Sequence, residues 1–120
     1  MTQEDKDLLL RDLCARLPYG VKGVEANTLC SLNTVTRFKS IVKNIEYKIE
    51  HLGFKPYLFP LSSMTEEQYE YFTQDLHAYI TFNGVVGTQI ALDWLNKNNF
   101  DYRGLIEKGL AINATNLEIY

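Results

Sequence analysis

The sequence predicts an α+β fold in a single domain over residues 1–120: an N-terminal helix, a small antiparallel sheet of three to four strands, then two to three C-terminal helices packed on one face. Three observations carry this expectation. A capped stretch with helical apolar spacing opens the chain, β-branched and aromatic residues crowd the region from Val21 to Phe59, and helix-start signals recur from Thr65 onward. A length of 120 residues suits one hydrophobic core, and 46% hydrophobic with 22% charged residues is an ordinary globular composition.

Thr2, followed three residues later by Asp5, forms a capping-box pattern, and Leu10, Leu13, Cys14 and Leu17 recur at helical spacing, so the first helix spans about Gln3 to Arg16. Pro18 and Gly20 end it: proline disfavours the helical conformation in the residue before it, and glycine tolerates the left-handed turn. Tyr19 stands at that corner.

"YGVKGVEA" and "TLCSLNTV" read as two short strands with Asn27 at the turn. "IEYKIE" sets Ile45, Tyr47 and Ile49 against Glu46, Lys48 and Glu50, the pattern of a half-buried strand, and "KPYLFPL" reads as a short edge strand limited by its prolines. The register stays open, because "TRFKSIVKN" fits neither period. An exposed edge invites pairing with a second copy, so a homodimer is the expected assembly.

Thr65 caps the next helix with Gln68 reaching back, Met64 and Tyr69 occupy the staple positions, and Glu66 and Glu67 complement the dipole. Tyr69, Phe72, Leu76 and Ile80 then form one apolar stripe. After a turn at Asn83 and Gly84, Val86, Ile90, Trp94 and Leu95 lay out a further helix to about Lys97, with Trp94 in the core. In "NNFDYRGLIEKGLA", Phe100, Asp101 and Leu105 fit the N′, N-cap and N4 positions of a short last helix closed by Gly109. "INATNLEIY" is a tail or a terminal strand.

A net charge of −3 and a pI near 5.3 give no long-range attraction for a polyanion. No run is long and apolar enough to span a bilayer, and the opening "MTQEDKDLLL" is acidic where a signal peptide is basic, which points to the cytoplasm. In that compartment Cys14 and Cys30 are expected as two buried, reduced thiols.

The chemistry-bearing patterns are sparse. His51 and His77 have no metal-binding spacing, "GVVGTQ" lacks the lysine and preceding strand of a phosphate loop, and no nucleophile elbow occurs. No catalytic residue, metal or cofactor is therefore assigned, and a non-enzymatic protein is expected. Arg16, Tyr19, Tyr57, Tyr102 and Arg103, cationic and aromatic residues at element ends, are the candidates for binding a small anionic ligand. Arg103 falls in a first helical turn, where the macrodipole disfavours a cation, so it calls for a partner: Asp101, Glu107 or Asp93, or else a ligand.

A second functional reading uses residues 37–55, where Arg37, Lys39, Lys43, Lys48 and Lys55 interleave with Phe38, Tyr47 and Phe54 as a face for nucleic acid. Glu46 and Glu50 interrupt it, and the acidic whole-chain charge weighs against this partner.

The blocks "DLLLRDLCARLPYGV", "KPYLFPLSSMTEEQ" and "WLNKNNFDYRGLIEKGLA" resemble, in that order, a set of uncharacterised small proteins of gut Bacteroides genomes and their prophages. The resemblance covers about half of the chain, and the material between the second and third helices is shorter here than in many of those proteins. It implies a phage or mobile-element accessory protein in the cytoplasm of a bacterial host, and it brings no catalytic residues with it. On that context and the sparse chemistry, the expected function is non-enzymatic binding, in an anti-defence role that either sequesters a small nucleotide-like ligand or docks on a host protein.

Overall fold

Thr2 starts the first helix, as its capping pattern predicts. Its hydroxyl accepts from the Asp5 N–H at 3.1 Å, the Asp5 carboxylate accepts from the Thr2 N–H at 3.2 Å, and α1 runs Gln3–Arg16. The structure, a computed structural model, describes residues 1–25, 28–32, 41–78, 81 and 84–120. After a 3₁₀ turn at Leu17–Tyr19, Gly20 takes φ +83° and turns the chain into β1, Val21–Glu25. β1 pairs antiparallel with β2, Thr28–Leu32, as expected. The expected turn residue Asn27 lies outside the described residues, as do Arg37, Phe38, Lys39, Ile80 and Asn83.

Two expectations about the sheet are corrected. "IEYKIE" is part of a helix, α2, Ile41–His51. Ile45 and Ile49 are buried one turn apart, and Glu46 and Glu50 are exposed beside them, so the pattern that resembles strand alternation is also an i, i+4 helical stripe. The flanking lysines and glutamates favour the helix.

"KPYLFPL" contains β3, Lys55–Pro60, which is central and not an edge. It pairs antiparallel with β1 through Gly23 opposite Pro56, and parallel with β4 (Phe100–Asp101) and β5 (Ile112–Asn113). The sheet is therefore mixed, ordered β2-β1-β3-β4 with β5 also on β3. Each of these partners engages only two residues of β3, so few ladder bonds are lost to the missing N–H groups of Pro56 and Pro60. The edge-strand argument for a homodimer does not apply to this segment. Where β1 meets β3 the backbones come so close that a Cβ on Gly23 would lie 2.5 Å from both the Lys55 carbonyl oxygen and Phe54 Cζ.

The capping box at Thr65 is present: Gln68 N–H donates to the Thr65 hydroxyl at 3.1 Å, and Gln68 Oε1 accepts from the Thr65 N–H at 2.9 Å. α3, Glu66–Glu70, continues into a π-helical turn at Tyr71–Leu76. Of its predicted stripe, Leu76 is buried and Phe72 half-buried, while Tyr69 is exposed. α4, Val85–Lys97, follows Gly84. Its buried line is Gly87, Ala91 and the expected Leu95, the expected Trp94 is half-buried, and the expected Val86 and Ile90 are exposed, so the first half of the helix turns its small residues inward and the second half its large ones.

The expected last helix shrinks to a turn, because Phe100 and Asp101 enter the sheet as β4 and Gly104 takes φ +74°. The Asp101 carboxylate still caps this turn, accepting the N–H groups of Leu105 and Ile106 at 2.9 Å each. Gly109, also at φ +74°, closes it, with Leu110 N–H donating to the Leu105 carbonyl at 2.9 Å. Leu105 and Leu110 thereby join Leu9, Leu13, Ile45, Phe54 and Leu58 in the core. The C-terminal stretch is β5 followed by irregular chain to Tyr120. No helix among the described residues is long and apolar enough to cross a membrane.

Candidate functional site

Asp12 and Arg16 stand one turn apart near the end of α1, and neither is exposed at all. Arg16 Nε donates to Asp12 Oδ2 at 2.8 Å, and its Nη2 donates to Asp12 Oδ1 at 3.1 Å and to the Phe100 carbonyl at 2.6 Å. The C-terminal end of a helix dipole suits this cation. Arg103 Nη1 reaches the same carboxylate at 2.9 Å and the Tyr102 hydroxyl at 2.9 Å, while that hydroxyl donates to Asn96 Oδ1 at 2.8 Å. The Tyr102 ring centroid lies 4.7 Å from Arg103 Cζ and 5.4 Å from Arg16 Cζ.

Three of the five predicted site residues, Arg16, Tyr102 and Arg103, thus meet around a residue the sequence reading did not select. Asp12 carries an i, i+4 signal to Arg16 in "DLCAR", but its tie to Arg103 spans 91 positions and leaves no local trace. Arg103 has a carboxylate partner, but it is Asp12 and not the expected Asp101, Glu107 or Asp93, and with no last helix formed there is no first-turn dipole to offset. Asp101 holds backbone N–H groups instead, and Asp93 serves Tyr19. Partial burial, then the Asp93 charge and hydrogen bond, push the Tyr19 phenol above its ordinary pKa. Asp93 also accepts from Gln89 Nε2 at 2.7 Å.

Tyr57 takes part through its backbone: its carbonyl accepts the Tyr120 hydroxyl at 2.8 Å. The same hydroxyl accepts from the Lys22 N–H at 2.9 Å, so it bridges β1 and β3. Burial pushes the Tyr120 phenol up to about 12, against the opposing pull of the Lys22 backbone bond and the Arg16 charge.

An aromatic column backs this region. Tyr71 and Phe72 lie 5.5 and 6.0 Å from Trp94, Trp94 stacks on Phe100 at 5.6 Å, and Phe59 contacts Phe100 at 6.4 Å and Tyr120 at 5.8 Å. Two clefts flank the segment Asn98–Gly104. One, of about 390 Å³, lies between Pro60–Ser62 and the stretch containing Asp101, Tyr102, Gly104, Ile106 and Glu107. The other, of about 360 Å³, is lined by Phe59, Ser63, Thr65, Gln68, Asn98, Asn99, Phe100 and Tyr120. Asn99 holds φ +59°, is 7% exposed, and its side-chain oxygen is buried with no hydrogen-bond partner among the described residues. Sequence reading passes over Asn99 because it looks like the punctuation between two helices.

The remaining candidates are dispersed. Burial and Glu46 raise the pKa of the Cys14 thiol; burial and Glu25 raise that of Cys30, opposed by Lys48. Both cysteines are free, and neither is fully buried. His51 lies against Tyr47 with ring centroids 4.8 Å apart, and both histidines are exposed. Lys48 of the predicted basic face pairs with Glu25. Among the described residues no three His, Cys, Asp or Glu side chains gather where they could hold a metal. Comparison with protein-family models, with curated proteins and with solved structures finds no match to this chain.

Proposed function

We propose that the protein is a non-enzymatic binding protein of phage or prophage origin that retains a small nucleotide-like ligand beside the segment Asn98–Gly104. The observation that carries the reading is the pairing of rigid support with open space: an internally bonded Asp12, Arg16, Arg103, Tyr102 and Asn96 network stands next to clefts of about 390 and 360 Å³. Ligand sites need walls whose rotamers are already fixed, and buried ion pairs and stacked rings fix them here. Of the charged groups at the clefts, the Asp101 carboxylate is engaged with the Leu105 and Ile106 N–H groups, Arg103 behind Tyr102 is engaged with Asp12, and Glu107 is exposed, while both thiols are shifted away from the reactive thiolate. Both features favour retention over chemistry. The phage context rests on the resemblance of the three sequence blocks.

Isothermal titration with cyclic nucleotides and ADP-ribose derivatives tests the reading, followed by chromatography of the recovered ligand. Saturable heat with the ligand returned intact is expected. Silence from every nucleotide would contradict it and leave docking on a host protein as the binding mode; a converted ligand would make the protein an enzyme.

A further inference from the structure

The geometry points to the cleft over Asn99 as a site for an uncharged planar heterocycle that presents an N–H beside a carbonyl, the edge shared by uracil and hypoxanthine. The inference rests on the proposed binding function and deepens it by naming the part of the ligand that is read.

The lining carries the argument. Its side chains are three aromatics, three carboxamides and two hydroxyls, and none of these side chains carries a charge at neutral pH. Phe59, packed edge-on against the buried Phe100, and Tyr120 beside it offer ring surface, which favours a flat ring laid against them. Asn99 supplies the specific group. The residue is more than nine-tenths buried, its side-chain oxygen has no donor among the described residues, and it is held at φ +59° by Asn99 N–H donating to the Asn96 carbonyl and Phe59 N–H donating to the Asn99 carbonyl. A buried acceptor without a donor is uncommon, and the left-handed backbone, an ordinary ending for α4, fixes where this side chain stands. That oxygen is closed off as the side chain stands, so a half-turn about χ2, which exchanges the amide oxygen and NH₂ group, is what presents it to a ligand N–H. In the same lining Gln68 uses its oxygen to cap Thr65, which leaves its NH₂ group to donate to a ligand carbonyl. An N–H next to a carbonyl matches this acceptor and donor, and bases recognised outside a helix are read in the same way, by stacking and edge hydrogen bonds.

Trp94, stacked on Phe100, gives an intrinsic fluorescence signal for the test, with titration calorimetry as the second readout. Uracil and hypoxanthine are the probes, and 1,3-dimethyluracil, which keeps the ring and carbonyls but has no N–H, is the control. Asn99→Gly removes the carboxamide while preserving the positive φ, and Gln68→Met removes the second amide at nearly constant size. The expected result is saturable binding of one or both bases, no competition from the dimethylated ring, and affinity at least tenfold weaker in each variant. Base or nucleotide binding that is unchanged in both variants would overturn this assignment and leave the proposed function standing. Absence of binding by every base and nucleotide would overturn both.

Discussion

The Asp12 carboxylate lies between the guanidinium groups of Arg16 and Arg103, bonded to the first at 2.8 and 3.1 Å and to the second at 2.9 Å. With Asp12 and Arg16 wholly buried, a single carboxylate balances two cations, of which only Arg103 reaches water. Replacing Asp12 by Asn should therefore cost about 3–5 kcal/mol, because it leaves a buried guanidinium uncompensated. The double variant Asp12→Leu with Arg16→Met should recover part of that loss. Urea denaturation measures both, and a loss under about 1 kcal/mol for Asp12→Asn would contradict the assigned role.

Arg103 is more replaceable. Its side chain is 19% exposed, and Asp12 keeps Arg16 when it is removed. Arg103→Ala should destabilise by on the order of 1 kcal/mol, well below the Asp12 variant. Thermal melts of the two proteins give the ranking, and the reverse order would contradict the account.

Gly23 is required by space. A Cβ there meets backbone on one side and an aromatic ring on the other at 2.5 Å, and neither is the free end of a flexible chain. Gly23→Ala should cost about 1–3 kcal/mol through overpacking, although alanine suits a strand better than glycine does. A neutral or stabilising result in equilibrium unfolding would mean that β1 and β3 are farther apart than described.

What the sequence reveals and hides follows from the range of the interactions. Capping at Thr2 and Thr65, the stop at Gly20 and the closing role of Gly109 involve residues within a few positions, so their chemistry is legible locally. "IEYKIE" misleads because three alternating residues satisfy both the strand period and the helical i, i+4 spacing, and only packing against α1 decides. The prolines suggest an edge for β3, yet patchy pairing with three partners lets a proline-bearing strand sit centrally. At the site, Arg16, Tyr102 and Arg103 announce themselves by residue type. Asp12 and Asn99 do not, since one looks like the polar face of a helix and the other like a loop.

The Tyr120 hydroxyl makes a pH-dependent clasp. Its pKa in the fold, about 12, lies above the ordinary value of 10.0, so folding favours the protonated phenol. The contribution is complete below pH 10 and is lost as pH rises toward 12. The residue is 46% exposed, so solvent screening reduces the effect below what the shift alone implies. Tyr120→Phe should be less stable at neutral pH, through loss of the bonds to Lys22 and Tyr57, and should show a shallower decline between pH 10 and 12. Parallel alkaline unfolding curves for the two proteins would contradict this.

The central claim is that a small nucleotide-like ligand settles beside the segment Asn98–Gly104, with its base over Asn99. Amide ¹H–¹⁵N correlation spectra of the labelled protein, titrated with hypoxanthine and with ADP-ribose, test it most directly. The account predicts saturable shifts concentrated at Ser63, Thr65, Gln68, Asn98, Asn99 and Tyr120, with the amides of α2 unmoved. A spectrum unchanged by either compound, or shifts gathered instead between α1 and α2, would contradict it.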